Sequence, residues 1–164
     1  MTAFGFSLSS ASRHSIAIRR ARGVDRPAIR SVYQESPNPH RRRVRIGDYY
    51  VAAAGKDIVG CAAVRAVDGW GYLYGLAVKR TWRRRGIGSA LISARLHWLH
   101  THQFPCAILL TMFWNIRFFR RLGFHPQPKR DLPGSLLRLP DLRDAMNHRC
   151  TAMIVLLSEV DTPA

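Results

Sequence analysis

At 164 residues, 47% of them apolar, the chain fits one globular domain with a substantial core and excludes a disordered or collagen-like protein. No apolar run approaches the roughly 20 residues that span a bilayer, so no membrane partner is expected. The formal net charge of +16 rests almost wholly on arginine, since Lys56, Lys79 and Lys129 are the only lysines; it favours anionic partners, from nucleic acid to phosphorylated or acidic small molecules, without choosing among them.

Met1 to Ser15 is Ser-rich and acid-poor, a pattern that overlaps a transit peptide, though a disordered tail is the plainer reading. The domain is expected over residues 16–158, with a second short tail over 159–164. Ser15 to Ala21 alternates apolar and polar residues and predicts a first strand. Asp25 is placed to cap a helix over about Arg26 to Tyr33, with Pro27 in its first turn. Ser36-Pro37-Asn38-Pro39 ends that helix, and Arg41-Arg42-Arg43-Val44-Arg45 follows as a loop or ragged short helix.

Tyr49 to Ala54, a Gly55-Lys56-Asp57 turn and Ile58 to Val64 read as a hairpin. Asp68-Gly69 turns the chain again, into a strand over Tyr72 to Val78. The basic loop Lys79-Arg80-Thr81-Trp82-Arg83-Arg84-Arg85 then feeds a helix from Ile87 to about His102. Ile87, Leu91, Ala94 and Trp98, with Ile92, Leu96 and Leu99, form its apolar stripe, opposite Ser89, Ser93, His97 and His100. No cysteine or carboxylate completes a metal cluster around His97, His100 and His102, so no metal is expected.

Ala107 to Thr111 reads as a strand parallel to Tyr72–Val78, because a crossover helix separates them. A short helix over Phe113 to Leu122 ends at Gly123. A polar helical stretch runs to about Arg149, and Thr151 to Leu157 closes the sheet. Cys61, Cys106 and Cys150, odd in number and far apart, fit buried reduced thiols of a cytoplasmic protein.

The strand, loop and helix over residues 72–91 carry the chemistry. A glycine-bearing loop that enters a helix N-terminus gathers unpaired N–H groups at the positive end of the helix dipole, which suits a phosphate. No Gly-Lys-Ser/Thr follows, and no third glycine stands at dinucleotide-fold spacing. Arg83-x-x-Gly86-x-Gly88 after Leu76-Ala77-Val78 resembles the acetyl-CoA motif of the GNAT N-acetyltransferases, written Arg/Gln-x-x-Gly-x-Gly/Ala. Phe118-Phe119-Arg120-Arg121-Leu122-Gly123-Phe124 is similar to a second signature of that family, and the pattern around Ile18, Asp25 and Ile29 to its N-terminal strand and helix. The last third looks like the amino-acid branch, which includes the N-acetylglutamate synthase domain and the arsenic-operon acetyltransferases.

The resemblance implies an α/β fold: a single GNAT domain, with a mixed twisted sheet of about six to seven strands flanked by helices. It implies acetyl-CoA as co-substrate, its pantetheine arm paired with Leu76, Ala77 and Val78. Its pyrophosphate would be held by Arg83, Arg84, Arg85, Gly86, Ile87, Gly88 and Ser89, with Asn115 and Phe119 as further contacts. The family's usual glutamate base falls on Tyr72 here, its thiolate-protonating tyrosine on Phe119, and its helix asparagine on Met112 with Asn115 one turn later. Proximity with ordered water, or a proton relay through Tyr72 or Tyr74, is left to carry the chemistry.

Arg117, Arg130 and Arg149 are candidates to clamp an acceptor carboxylate, and Asp68, Asp131, Asp141 and Asp144 to recruit an amine. The expected partner is a small-molecule amine, best an acidic amino acid or analogue, with an anionic partner of the basic surface and a homodimer left open. The alternatives are a protein or peptide N-acetyltransferase, for instance on a ribosomal protein, and a non-catalytic acyl-CoA-binding or RNA-associated module.

Overall fold

The computed structural model describes residues 15–36, 44–140 and 150–158. Arg41 to Arg43, Asp141, Asp144, Arg149 and the tails over 1–14 and 159–164 lie outside them. In chain order the elements are β1 (Ile16–Arg20), α1 (Arg26–Gln34), β2 (Tyr49–Ala54), β3 (Asp57–Val67), β4 (Trp70–Val78) and α2 (Ile87–Thr101). Then come β5 (Cys106–Met112), α3 (Ile116–Arg120), β6 (His125–Gln127), α4 (Gly134–Leu137) and β7 (Cys150–Leu156).

The strands form one seven-stranded sheet in the order β1-β2-β3-β4-β5-β7-β6. Every pairing is antiparallel except β4 with β5, which the crossover through α2 makes parallel. The mixed sheet flanked by helices is the architecture expected from the motifs. Asp68 and Gly69 both have positive φ, 45° and 80°, which lets a two-residue turn follow the right-handed twist of β3 and β4.

Because side chains alternate along a strand, the sheet has two distinct apolar faces. Ile29, Val32 and Tyr33 of α1 pack with Val51, Cys61, Ala63, Tyr72, Tyr74 and Ile108 on one face, where Leu132 and Leu136 join them. On the other, Ile92, Leu96 and Leu99 of α2 meet Val64, Leu73, Leu109, Phe119 and Phe124. Farther along, Ile87 and Leu91 lie on Ala52, Ala54, Val59 and Ala62, small side chains that let the helix approach closely. Among the described residues no helix is long and apolar enough to cross a membrane.

Three local expectations are corrected. Asp25 makes no side-chain cap on α1. Its carboxylate instead accepts both Arg19 Nη1 and Nη2, at 2.7 and 3.0 Å, and the Arg22 N–H at 2.7 Å. The Arg19 guanidinium holds that carboxyl below its ordinary range, against the opposing effect of burial. The helix expected over Phe113–Leu122 divides into a 3-10 turn at Phe113–Asn115 and α3 proper. Gly123, at φ 85°, still ends it. Cys61 and Cys106 are buried thiols, whereas Cys150 is only half-buried. Strand β6 was not foreseen, because His125-Pro126-Gln127 has no apolar alternation and is held only by its pairing with β7.

Candidate active site

The site begins where two strands part. β4 and β5 pair only at Gly71, Tyr72 and Leu73 against Ala107, Ile108 and Leu109. β4 then runs on to Val78 and β5 to Met112 without pairing each other. Past Leu73 the backbone of β4 therefore presents an open edge toward a slot, the arrangement in which an extended ligand can add as a strand. Leu76 and Val78 are half-buried along that edge, and Ala77 between them is buried toward the α1 face.

A bulge stands at the head of the slot. Cys61 pairs with Ala77 and Ala63 with Tyr74, so Gly75 and Leu76 of β4 face Ala62 alone on β3. Gly75 has φ 65°, and an added Cβ there would collide with the Tyr33 hydroxyl. Only glycine fits both the conformation and the space.

At the far end of β4 the basic loop leads into α2. Arg84 and Gly86 take positive φ, 62° and 76°, and fold the chain back into the helix. Ala90 N–H already bonds Gly86 O at 2.9 Å, which leaves the amides of Ile87, Gly88 and Ser89 as the helix's unpaired first-turn donors. The buried Ile87 side chain anchors this turn in the core. Gly86 has open space around it, while Gly88 faces Phe118 of α3, whose Cζ would lie 3.5 Å from an added Cβ.

The arginines of the loop divide by task. Arg83 donates to Val78 O at 3.0 Å and to Glu35 O at 3.1 Å, and the Glu35 carboxylate accepts Arg80 N–H at 3.1 Å. The guanidinium of Arg83 thus ties the loop to the end of α1. Arg85 lies over the Trp82 ring at 4.9 Å, and Arg84 and Arg85 are both exposed beside the first turn of α2. An anion at these amides meets the positive end of a fifteen-residue helix and two mobile-length cationic side chains.

On the α1 face, Tyr72 and Tyr74 stack with their rings 5.3 Å apart and nearly parallel. The Tyr74 hydroxyl donates to Asp48 Oδ2 at 2.5 Å and accepts from Arg65 Nη2 at 3.0 Å. Arg65 completes the triangle with bonds of 2.9 and 3.0 Å to the same Asp48 oxygen. Burial first, and then the bond to Asp48, push the Tyr74 phenol far above its ordinary value, so it stays protonated at any working pH. β4 itself carries no acid, but Asp48, just before β2, brings a carboxylate to Tyr74 of that strand.

The family model described as the Acetyltransferase (GNAT) family matches residues 17–124. The chain belongs to the GNAT family. No curated protein matches it. Among solved structures, N-acetylglutamate synthase from Neisseria gonorrhoeae, complexed with coenzyme A and N-acetyl-glutamate, is 20% identical at a TM-score of 0.75. That match covers 87% of this chain but only 35% of the synthase, so the chain spans about a third of its length. Rv2747 from Mycobacterium tuberculosis, in complex with CoA, is 21% identical at a TM-score of 0.70, over 85% of this chain and 98% of that one. The ribosomal-protein-S18-alanine N-acetyltransferase from Escherichia coli is 16% identical at a TM-score of 0.65, over 92% and 99%. At these identities the likeness is one of fold.

Within this GNAT fold the remaining sequence candidates are scattered. Phe119 is buried in the core between Phe118 and Phe124, with ring centres 5.1 and 5.8 Å away. Asn115 is half-buried at the start of α3 and makes no side-chain cap. Arg117 and Arg130 are exposed, with Arg130 lying 3.8 Å from Asp131. His97, His100 and His102 are exposed as expected, with His102 Nδ1 2.7 Å from Trp98 O.

Sequence reasoning missed Asp48, Arg65 and Arg95. Arg65 carried a signal, since it breaks the apolar run of β3. Arg95 carried a stronger one, lying four residues from both Leu91 and Leu99 on the buried line of α2. Asp48 carried none; it meets Tyr74 across 26 positions of chain.

Proposed function

We propose that this GNAT-family acyltransferase uses acetyl-CoA to acetylate the amine of a small molecule, with an acidic amino acid or a close analogue as the acceptor. The observation that carries the reading is the open edge of β4 running from the bulge at Gly75 to the free amides of α2. One end suits an extended pantetheine chain and the other a pyrophosphate. The donors fit such a group by their chemistry: Ile87, Gly88 and Ser89 offer backbone N–H, and Arg84 and Arg85 add formal charge. Acetyl-CoA, when bound, supplies the activated thioester.

The chain's own residues do the rest. The slot aligns the thioester with the α1 face, where Tyr72 and Tyr74 form an apolar floor with one polar corner. Asp48 and Arg65 make that corner a place for an amino acid's two charges, with Asp48 drawing the ammonium and Arg65 the carboxylate. As a general base, the Asp48 carboxylate would take the proton that the ammonium gives up before the nitrogen attacks, and water would carry a proton to the departing thiolate. With its phenol locked to Asp48, Tyr74 orients the carboxylate and does not itself exchange a proton. The likeness in fold to N-acetylglutamate synthase supports this acceptor, and the likeness to an N-acetyltransferase of a ribosomal protein supports a second reading in which the amine belongs to a protein.

Release of free thiol from acetyl-CoA over a panel of amino acids and peptides tests the choice. Turnover is expected on acidic amino acids; turnover confined to peptides would establish the second reading. Salt-sensitive RNA binding with no turnover on any amine would favour a binding module instead. Asp48→Asn is expected to lower kcat/KM for the acceptor on the order of 100-fold, at the low end of what a positioned acid or base contributes. CoA affinity measured by calorimetry should stay within twofold. An unaltered kcat/KM would remove Asp48 from the chemistry.

A further inference from the structure

The bulge in β4 is gripped from both faces of the sheet by side chains that no motif predicts. From α1, the Tyr33 hydroxyl donates to Gly75 O at 2.6 Å. A hydroxyl has one proton to give, so the 3.1 Å contact between the Tyr33 and Tyr49 hydroxyls must be donated by Tyr49. From α2, Arg95 donates through Nη1 to Tyr74 O at 3.3 Å and to Ala63 O at 2.9 Å, and through Nε to Leu91 O of its own helix at 3.1 Å. Ala63 and Tyr74 are the first pair beyond the bulge, where the extra residue disrupts the ladder.

Arg95 is an unusual residue for that task. It is 1% exposed, and among the described residues no carboxylate pairs with it. Burying a cation without a counter-charge is expensive, and a Met or Leu on this helix line would pack without that penalty. Burial lowers its pKa to about 10, which still leaves it charged at neutral pH. What the charge gains is a stronger bond to each carbonyl than a neutral donor makes. A peptide group is planar and trans, so fixing a carbonyl fixes the direction of the N–H in the same plane. Arg95 on Tyr74 O thereby fixes the Gly75 N–H, and Tyr33 on Gly75 O fixes the Leu76 N–H. A donor on the carbonyl also polarises that peptide and makes its N–H a better donor.

We propose that Tyr33 and Arg95 are positioning residues for acyl transfer, acting through the bulge: together they aim and polarise the Gly75 and Leu76 amides at the head of the slot. The inference rests on the acetyl-transfer reading, in which charge grows on the thioester oxygen beside these amides and prearranged donors lower the barrier.

The test pairs a spectrum with kinetics. In nitrogen-15-labelled protein, Tyr33→Phe should move the Leu76 amide proton upfield, and Arg95→Met the Gly75 amide proton. Arg95→Lys, which keeps the charge and some of the bonds, should recover much of the Gly75 shift. Tyr33→Phe should reduce kcat roughly tenfold, less than the 10²–10³-fold loss of deleting an oxyanion donor outright, with KM for acetyl-CoA within twofold. Should Arg95→Met fail to fold, Tyr33→Phe and Arg95→Lys still decide. Unmoved amides, an unchanged kcat, or kcat and KM changing in proportion would overturn the proposal. Absence of wild-type turnover on every amine would reject the acetyl-transfer reading, while the Leu76 amide in Tyr33→Phe would still decide whether the clamp polarises the bulge.

Discussion

Gly88→Asp should abolish useful CoA binding while leaving the fold as stable as before, or more so. Gly88 is the second residue of α2, and its amide is one of three without an intrahelical partner. A Cβ there makes only an ordinary contact with Phe118, so the first carbon of the new side chain meets no clash. A carboxylate in the first helical turn also favours the helix, by about 0.3–1 kcal/mol, through its interaction with the dipole. For a bound pyrophosphate the same carboxylate is a like charge. At about 5 Å and an effective dielectric near 20, that repulsion is about 3 kcal/mol, on the order of 100-fold in Kd. Calorimetric titration with CoA, beside a thermal melt of the free protein, separates the two effects. Gly88→Ala is the control and should bind CoA within a few-fold of the parent. A Gly88→Asp protein that keeps wild-type affinity would remove the N-terminus of α2 as the phosphate seat.

The sequence was legible wherever a local rule decides the structure. The Asp68-Gly69 turn, the crossover that makes β5 parallel to β4, and the start of α2 at Ile87 all follow from turn chemistry, connection length and periodicity. Asp25 was misread for a physical reason. Its position before Arg26 and Pro27 is right for a cap, yet the Arg19 guanidinium, brought close by the turn between β1 and α1, competes for the carboxylate and wins. The division of Phe113–Leu122 into a 3-10 turn and a short helix has a similar cause. Phe119 and Ile116 must reach the core beneath α2, while Phe113 and Trp114 remain 69% and 51% exposed.

The site is less legible than the fold because its polar groups are assembled across the sheet. The loop proposed as the phosphate seat is contiguous from Arg83 to Ser89, so a short motif can point to it. The Asp48–Arg65–Tyr74 triangle draws on three strands or strand ends, and no spacing rule joins them. Looking for an acid on β4 alone therefore led to a strand without one. The clamp on the bulge was hidden differently: Tyr33 ends an unremarkable helix and Arg95 sits among leucines. Only the register shift between Cys61 and Ala63 shows why both face the same short stretch of backbone.

That stretch also carries a large expected stability effect. Gly75→Ala combines two penalties. At φ 65° an alanine occupies the left-handed region, which costs about 1–2 kcal/mol. Its Cβ would also displace the Tyr33 hydroxyl and leave Gly75 O buried without that donor, a further loss of about 1–3 kcal/mol. Together they come to about 2–5 kcal/mol, a large share of the 5–15 kcal/mol that holds a typical domain folded. Gly86→Ala isolates the first penalty, since Gly86 has nearly the same φ but nothing within 4 Å of an added Cβ. The second penalty is isolated by Tyr33→Phe, which removes the colliding hydroxyl and leaves the ring carbon Cζ at an ordinary 3.6 Å. Urea unfolding of Gly75→Ala, Tyr33→Phe and the double variant should therefore be non-additive, the pair being less damaging than the sum by about 1 kcal/mol or more. Additive losses, or a Gly75→Ala protein no weaker than Gly86→Ala, would show that Tyr33 does not hold the bulge.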